Sequence, residues 1–134
     1  MLASLLLLML SISCNGQSNK KEVSQKLEST NVKVYYFHFT RRCATCLAVE
    51  ENARKAVEVL YSDKVKTGEY SFTAMNLDEA SSKEIANKLG VGGQTLLIVR
   101  GDKKIDITDK GFLNAHNPDK MKEEIKSAVD KVLF

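Results

Sequence analysis

The sequence predicts an α/β domain with a four-stranded mixed sheet and helices on both faces. Strand-like and helix-like patterns alternate along the chain in the order β-α-β-α-β-β-α. A strand-helix-strand crossover is parallel and right-handed, whereas the short turn at Gly101-Asp102 predicts an antiparallel hairpin. The 134 residues leave room for one such domain after an N-terminal signal segment.

The overall composition is that of an ordinary globular protein. Hydrophobic residues make up 43% of the chain and charged residues 28%. The formal net charge of +3 comes from interleaved lysines and glutamates rather than from a basic block. We therefore expect no nucleic-acid partner.

The N-terminal segment is an apolar run over residues 2–12 that ends at Ser13-Cys14, after which the chain becomes polar. The run is too short for a bilayer, which takes roughly 20 apolar residues, and suits a secretory signal. Small residues before Cys14 resemble the lipobox of bacterial lipoproteins, in which the signal is cut before a cysteine that then carries lipid. An ordinary signal peptide or a buried apolar helix is the alternative.

These features predict where the protein resides and how it is divided. We expect lipidation at Cys14 to anchor the chain to a membrane of the bacterial cell envelope, facing the periplasm or the surface. The predicted division is a signal peptide at 1–13, a lipidated cysteine with a polar tether at 14–31, and the folded domain at 32–134.

The first predicted strand and the first predicted helix flank a pair of cysteines. Residues 32–39, VKVYYFHF, are rich in β-branched and aromatic residues and predict a central strand. Its aromatic residues are interpreted as core packing: Tyr35, Tyr36, Phe37 and Phe39. The following segment has a helical apolar stripe formed by Cys46, Val49, Ala53, Ala56, Val57 and Leu60.

The remaining elements follow from local signals. A second strand is predicted over 70–77, and a helix that Asp78 would cap ends at Gly90. The hairpin strands are 95–100 and 103–108, and residues 109–116 are interpreted as a loop. Asn117 and Pro118 begin the last helix.

The C-x-x-C motif formed by Cys43 and Cys46 carries the strongest chemical signal. At the N-terminus of a helix, free N–H groups and the helix dipole stabilise a thiolate. Cys46 shares the buried stripe, whereas Cys43 lies at the exposed first turn, so Cys43 is expected to attack and Cys46 to resolve. Arg41 and Arg42 would favour the Cys43 thiolate, unless they are ordinary surface charges.

Residues 32–134 resemble the thioredoxin-like superfamily. The resemblance lies in the strand YYFHF, in RRCATC opening a helix, in a strand ending NLD, and in GVGGQTLLIV. FHFTRRCATC is also similar to a lipoprotein branch labelled the nitroreductase-subunit ArsF family. The superfamily implies thiol-disulfide exchange without a cofactor, with protein or small-molecule thiols and disulfides and an upstream redox partner. The residues expected to face the substrate are Arg41, Arg42, Ala44, Thr45, Gln94 and Thr95.

Three positions depart from the thioredoxin pattern. Arg42 stands where thioredoxins have tryptophan, and Phe37 stands where they have a buried aspartate. Gln94 replaces the cis-proline that faces the disulfide and shapes the loop against which extended substrates pair. Glu50, one turn after Cys46, is a candidate to carry a proton in place of that aspartate, although a solvated helix residue is the simpler interpretation.

Two other functions remain open for the cysteine pair. A soft metal such as copper, or a metalloid, would bind two thiolates, and zinc would need further ligands such as His38 or His116. His38 is more typical of a packed strand residue, and we predict no metal. The other possibility is a thioredoxin-like binding module whose disulfide does not turn over, although so short a loop stabilises a fold poorly.

Overall fold

The computed structural model describes residues 30–134. The predicted signal peptide, the lipidation site Cys14 and the tether up to residue 29 lie outside the described residues. Within 30–134, no helix combines the length and apolar character needed to cross a membrane.

The sheet has the predicted mixed topology. Its spatial order is β2-β1-β3-β4, with β1 parallel to β2 and antiparallel to β3, and with β3 antiparallel to β4. The strands are β1 Val32–His38, β2 Tyr70–Asn76, β3 Thr95–Arg100 and β4 Lys103–Asp106. The central position of β1 directs its carboxyl end, and the cysteine motif that follows, to the middle of one sheet edge.

Five helices occur in residues 30–134. They are α1 Ala44–Leu60, α2 Ser62–Lys66, α3 Ala80–Leu89, α4 Thr108–Leu113 and α5 Pro118–Leu133. The start of α5 is as predicted, because the Asn117 side chain accepts a hydrogen bond from the Lys120 N–H and Pro118 occupies the first turn. The short helix α2 has no buried residue, so the sequence offered no apolar stripe from which to predict it.

Helix α4 corrects the interpretation of residues 109–116 as a loop. The helix begins where Asp106 Oδ1 accepts hydrogen bonds from the Thr108 N–H at 2.9 Å and from its hydroxyl at 2.5 Å. Six residues are too few for a readable helical period, and Gly111 in the middle disfavours a helix. That glycine permits close packing, because a Cβ there would lie 2.8 Å from Leu96 Cδ2.

Two hydrophobic cores fill the opposite faces of the sheet. The larger core joins even-numbered residues of β1, such as Tyr36, to α1 and α5, and the smaller core joins Phe37 to α3. The predicted stripe of α1 is confirmed, with five residues buried and Leu60 partly buried. Phe39 is a correction, because it lies beyond the end of β1 and is 43% exposed rather than packed in the core.

The N-terminus of α3 also differs from the prediction. Helix α3 begins at Ala80 after Glu79, whose side chain makes no capping hydrogen bond. Asp78 does not cap this helix, because its carboxylate accepts a hydrogen bond from the backbone N–H of Thr40. The C-terminus is as predicted, since Gly90 adopts a left-handed conformation with φ of 72°.

Candidate functional site

The two cysteines lie at the N-terminus of α1 and form a disulfide. Cys43 is the N-cap residue in an extended conformation, and its Sγ accepts a hydrogen bond from the Cys46 N–H at 3.1 Å. Cys43 is exposed, whereas Cys46 is 8% exposed. A helix N-terminus that donates a hydrogen bond to sulfur stabilises negative charge there, so the local geometry favours a thiolate at Cys43 when the bond is reduced.

The rim around Cys43 combines small, cationic and apolar groups. Arg41 and Ala44 are exposed, and Thr45 is half-buried. Leu47 lies one turn after Cys43, is 53% exposed, and donates its N–H to the Cys43 carbonyl. The sequence did not single out Leu47, although its position four residues after Cys43 on a helix places it on the same side.

Arg42 has a different environment from Arg41. Its guanidinium is ion-paired with Glu50, whose other carboxylate oxygen accepts from Arg54 at 2.8 Å. The side chains of Arg42 and Glu50 are only 21% and 17% exposed. Glu50 is therefore a half-buried carboxylate bound by two arginines rather than a solvated helix residue.

A buried phenol lies next to this ion pair. Tyr36 is fully buried, and its hydroxyl oxygen accepts a hydrogen bond from the Gln94 side-chain amide at 2.6 Å. Burial raises the pKa of Tyr36, whereas the Gln94 hydrogen bond and the charge of Arg42 lower it and the charge of Glu50 raises it. Gln94 and Arg42, two of the three departures from the thioredoxin pattern, therefore both act on one phenol.

Thr95 follows Gln94 at the start of β3 and is only 9% exposed. Its hydroxyl donates to the Gly93 carbonyl at 2.9 Å, and this bond holds the turn that enters the strand. The glycines at 92 and 93 have open space where a side chain would stand. Gln94, which is half-buried, is thus the side chain of this turn that reaches towards β1.

The loop that carries both arginines is anchored to the end of β2. The Thr40 N–H donates to Asp78 Oδ2 at 2.8 Å, and the Asn76 amide donates to the Thr40 hydroxyl at 2.8 Å. The hydrogen bonds from Thr40 hold the pKa of Asp78 below its usual value, with smaller contributions from Lys83 and His38. The sequence predicts Asp78 as the cap of α3 and gives no signal for its contact with Thr40 or for the contact of Thr40 with Asn76.

The two histidines differ in burial. His38 is 5% exposed, with Nδ1 2.9 Å from the Phe39 carbonyl oxygen, and is the packed strand residue that its position predicted. His116 is exposed. Within residues 30–134, no three side chains of His, Cys, Asp or Glu converge as a set of metal ligands.

Comparison with solved structures addresses the fold. Similar structures include human ERp44 in a zinc-bound form, with a TM-score of 0.54 and 14% identity over 80% of this chain and 29% of that one. Mitochondrial thioredoxin 3 from Saccharomyces cerevisiae, in its oxidised form, has a TM-score of 0.46 and 20% identity over 81% and 89% of the two chains. Fasciola hepatica thioredoxin has a TM-score of 0.44 and 19% identity over 81% and 90%.

The expected thioredoxin-like fold is confirmed by the mixed four-stranded sheet with helices on both faces. The chain spans under a third of the length of ERp44. No protein-family model matches the chain, and no curated protein matches it.

Proposed function

We propose that this protein is a thiol-disulfide oxidoreductase in which Cys43 and Cys46 are the catalytic residues. The observation that carries the proposal is the unequal exposure of two bonded cysteines at one helix N-terminus. A substrate can reach Cys43, while Cys46 is 8% exposed and lies three residues further along the same helix. This arrangement suits a nucleophile and a resolving thiol.

The reaction proceeds by two exchanges when the protein reduces a substrate. The Cys43 thiolate attacks one sulfur of the substrate disulfide, a mixed disulfide forms, and the other substrate sulfur leaves as a thiolate. Cys46 loses its proton and attacks Cys43 Sγ, which re-forms the Cys43–Cys46 bond and releases the second substrate thiolate. Two electrons pass to the substrate, and both released thiolates take up protons.

The dithiol must then be regenerated by an upstream redox partner, which donates two electrons by the same exchange. The reverse sequence oxidises a substrate dithiol, and the reduction potential of the couple decides which direction prevails. The side chains that the proposal assigns to the substrate-facing rim are Arg41, Arg42, Ala44, Thr45, Gln94 and Thr95. No cofactor is required, because the electrons reside in the sulfurs.

The proposal includes a location. The apolar run before Cys14 supports attachment through lipid in the bacterial cell envelope, where an exported dithiol is exposed to oxidants. The resemblance of FHFTRRCATC supports the nitroreductase-subunit ArsF branch as a hypothesis. Fatty-acid labelling of the full chain in a bacterium tests the anchor, since Cys14→Ser should abolish the label and Cys43→Ser should retain it.

Replacing each catalytic cysteine in turn tests the chemistry. Cys43→Ser should abolish the reduction of a model protein disulfide, because the attacking sulfur is gone. Cys46→Ser should accumulate a mixed disulfide, visible by intact mass, because nothing resolves it. Parent-like turnover by both variants would refute the proposal. Stoichiometric copper or zinc retained by the reduced parent through gel filtration, with no turnover, would instead favour the soft-metal alternative.

A further inference from the structure

The half-buried ion pair between Arg42 and Glu50 has a consequence for the cysteines. Arg42 is the residue directly before Cys43, and Glu50 is four residues after Cys46, one turn along α1. Side chains four residues apart on a helix are neighbours, so Glu50 lies beside Cys46. The ion pair with Glu50 brings the Arg42 guanidinium to α1. The pair therefore brackets the disulfide in sequence, and Glu50 follows Cys46 by one turn of the same helix.

Each carboxylate oxygen of Glu50 accepts a hydrogen bond from an arginine. Its Oε2 accepts from Arg42 and its Oε1 accepts from Arg54 at 2.8 Å. In the described part of the chain, Glu50 is the carboxylate with which Arg42 is ion-paired. Without Glu50, the Arg42 guanidinium would carry an unneutralised positive charge next to the nucleophile.

The surroundings of the pair strengthen its electrostatic effect. The fully buried Tyr36 phenol is influenced by the charges of both Arg42 and Glu50, and its hydroxyl also accepts a hydrogen bond from Gln94. Polar groups held in a poorly hydrated site interact more strongly than exposed ones, because less water screens them. Removing the charge of Glu50 should therefore change the thiolate fraction of Cys43 more than removing a charge at an exposed position of α1.

We propose that Glu50 acts as a positioning residue that neutralises Arg42 and so limits the thiolate fraction of Cys43, keeping the Cys43–Cys46 couple more reducing. A cation beside a thiol favours the thiolate, and a stabilised thiolate makes the reduced form more stable and the disulfide more oxidising. Pairing the cation with a carboxylate opposes both effects. The inference rests on the proposed function and adds to it a residue that sets reactivity.

Glu50→Gln tests this role, with Glu51→Gln as the matched control. Glu51 is the next residue on α1, is 65% exposed, and is ion-paired with Lys55, so its replacement removes the same charge from the same helix. The neighbouring segments also contain Arg41, His38 and Asp78, and neither variant alters them. Circular dichroism and the thermal midpoint establish that each variant is folded.

The first measurement is the rate at which iodoacetamide alkylates reduced Cys43 across a range of pH. Glu50→Gln should move the profile to lower pH and raise the rate on its acidic side about fivefold. The second measurement is the equilibrium with reduced and oxidised glutathione, in which Glu50→Gln should favour the dithiol by a similar factor. Glu51→Gln should stay within about twofold of the parent in both, as expected of an exposed pair.

The double variant separates an effect through Arg42 from a direct effect of Glu50 on the sulfurs. When Arg42→Gln is already present, adding Glu50→Gln should change the alkylation rate by less than about twofold. An equal fivefold change in that background, or a Glu50→Gln variant indistinguishable from Glu51→Gln, would overturn the inference. A parent that does not exchange with glutathione would refute the proposed function itself, which is a different result.

Discussion

The cysteine site has an exposed half, which contains Arg41 and Cys43, and a buried half, which contains Arg42 and Cys46. Arg41 and Cys43 are exposed, whereas Arg42 is 21% exposed at its side chain and Cys46 is 8% exposed. Arg41 has no ion-pair partner within residues 30–134, and Arg42 is bound to Glu50. The two adjacent arginines therefore lie in different environments, and so do the two cysteines.

Under the proposed function, the exposed half carries the nucleophile that a substrate reaches first, and the buried half sets the conditions under which that nucleophile reacts. The buried half is joined to the rest of the fold through Glu50 on α1, Tyr36 on β1 and the turn before β3. The exposed half is joined to the fold mainly through the backbone of Thr40, which Asp78 holds. Substitutions in the two halves should accordingly differ in whether they change stability or reactivity.

The largest expected effect is a loss of stability on replacing Val49, which lies on the buried side of α1 three residues after Cys46. Val49 is fully buried on the stripe of α1 and lies against the larger core, so Val49→Ala should lower the free energy of unfolding by about 2 kcal/mol. Leu47, two residues earlier, is 53% exposed, and Leu47→Ala should cost less than about 0.5 kcal/mol. Urea unfolding measures both, and equal losses would show that the two halves are not distinct.

The next effect concerns the anchor of the exposed half. The hydrogen bonds from Thr40 lower the pKa of Asp78 in the folded state. This carboxylate therefore contributes stability above its unfolded pKa of 3.8, and the contribution is lost as the pH falls through the lower folded value. Asp78→Asn retains an oxygen acceptor for the Thr40 N–H but does not titrate there. The parent should exceed this variant in stability at about pH 6, and the difference should shrink towards about pH 3.

Urea unfolding at several pH values measures that difference, and Glu79→Gln is its control. Glu79 is also exposed, and its side chain makes no capping hydrogen bond. A stability difference between the parent and Asp78→Asn that stays constant with pH would show that the charge of Asp78 does not strengthen the Thr40 contact.

The fold was largely predictable because its signals are local. The alternating strand β1, the apolar stripe of α1, the glycine that ends α3 and the Asn-Pro start of α5 each depend on residues a few positions apart. The short helix α4 was not predictable, because it is initiated by Asp106 and accommodated by the absence of a side chain at Gly111. The exposure of Phe39 was also missed, since the strand ends one residue earlier than its pattern.

The candidate site was predictable in its cysteines but not in its contacts. The order of exposure of Cys43 and Cys46 follows from the helical stripe alone. The contact between Gln94 and Tyr36 joins residues 58 apart, and the contact between Thr40 and Asp78 joins residues 38 apart. A single sequence contains no signal for pairs so distant, and Glu50 could be placed on a helix without any sign that Arg42 would reach it.

The smallest expected effect is that of the Arg41 charge on the reaction rate of Cys43 in the exposed half. A unit charge about 7 Å from a reacting group in water contributes about 0.6 kcal/mol, a factor of roughly 3 in rate. Arg41→Gln should therefore slow the reaction of reduced Cys43 with an anionic aromatic disulfide about twofold to threefold and speed its reaction with cationic cystamine by a similar factor. Arg41→Lys keeps the charge and should restore the parent rates. High salt should remove the difference, because exposed charges are screened. Equal slowing with both disulfides would mean that Arg41 acts on the structure of the loop. The exposed half would then lack the charge selectivity expected of an arginine that has no ion-pair partner within residues 30–134.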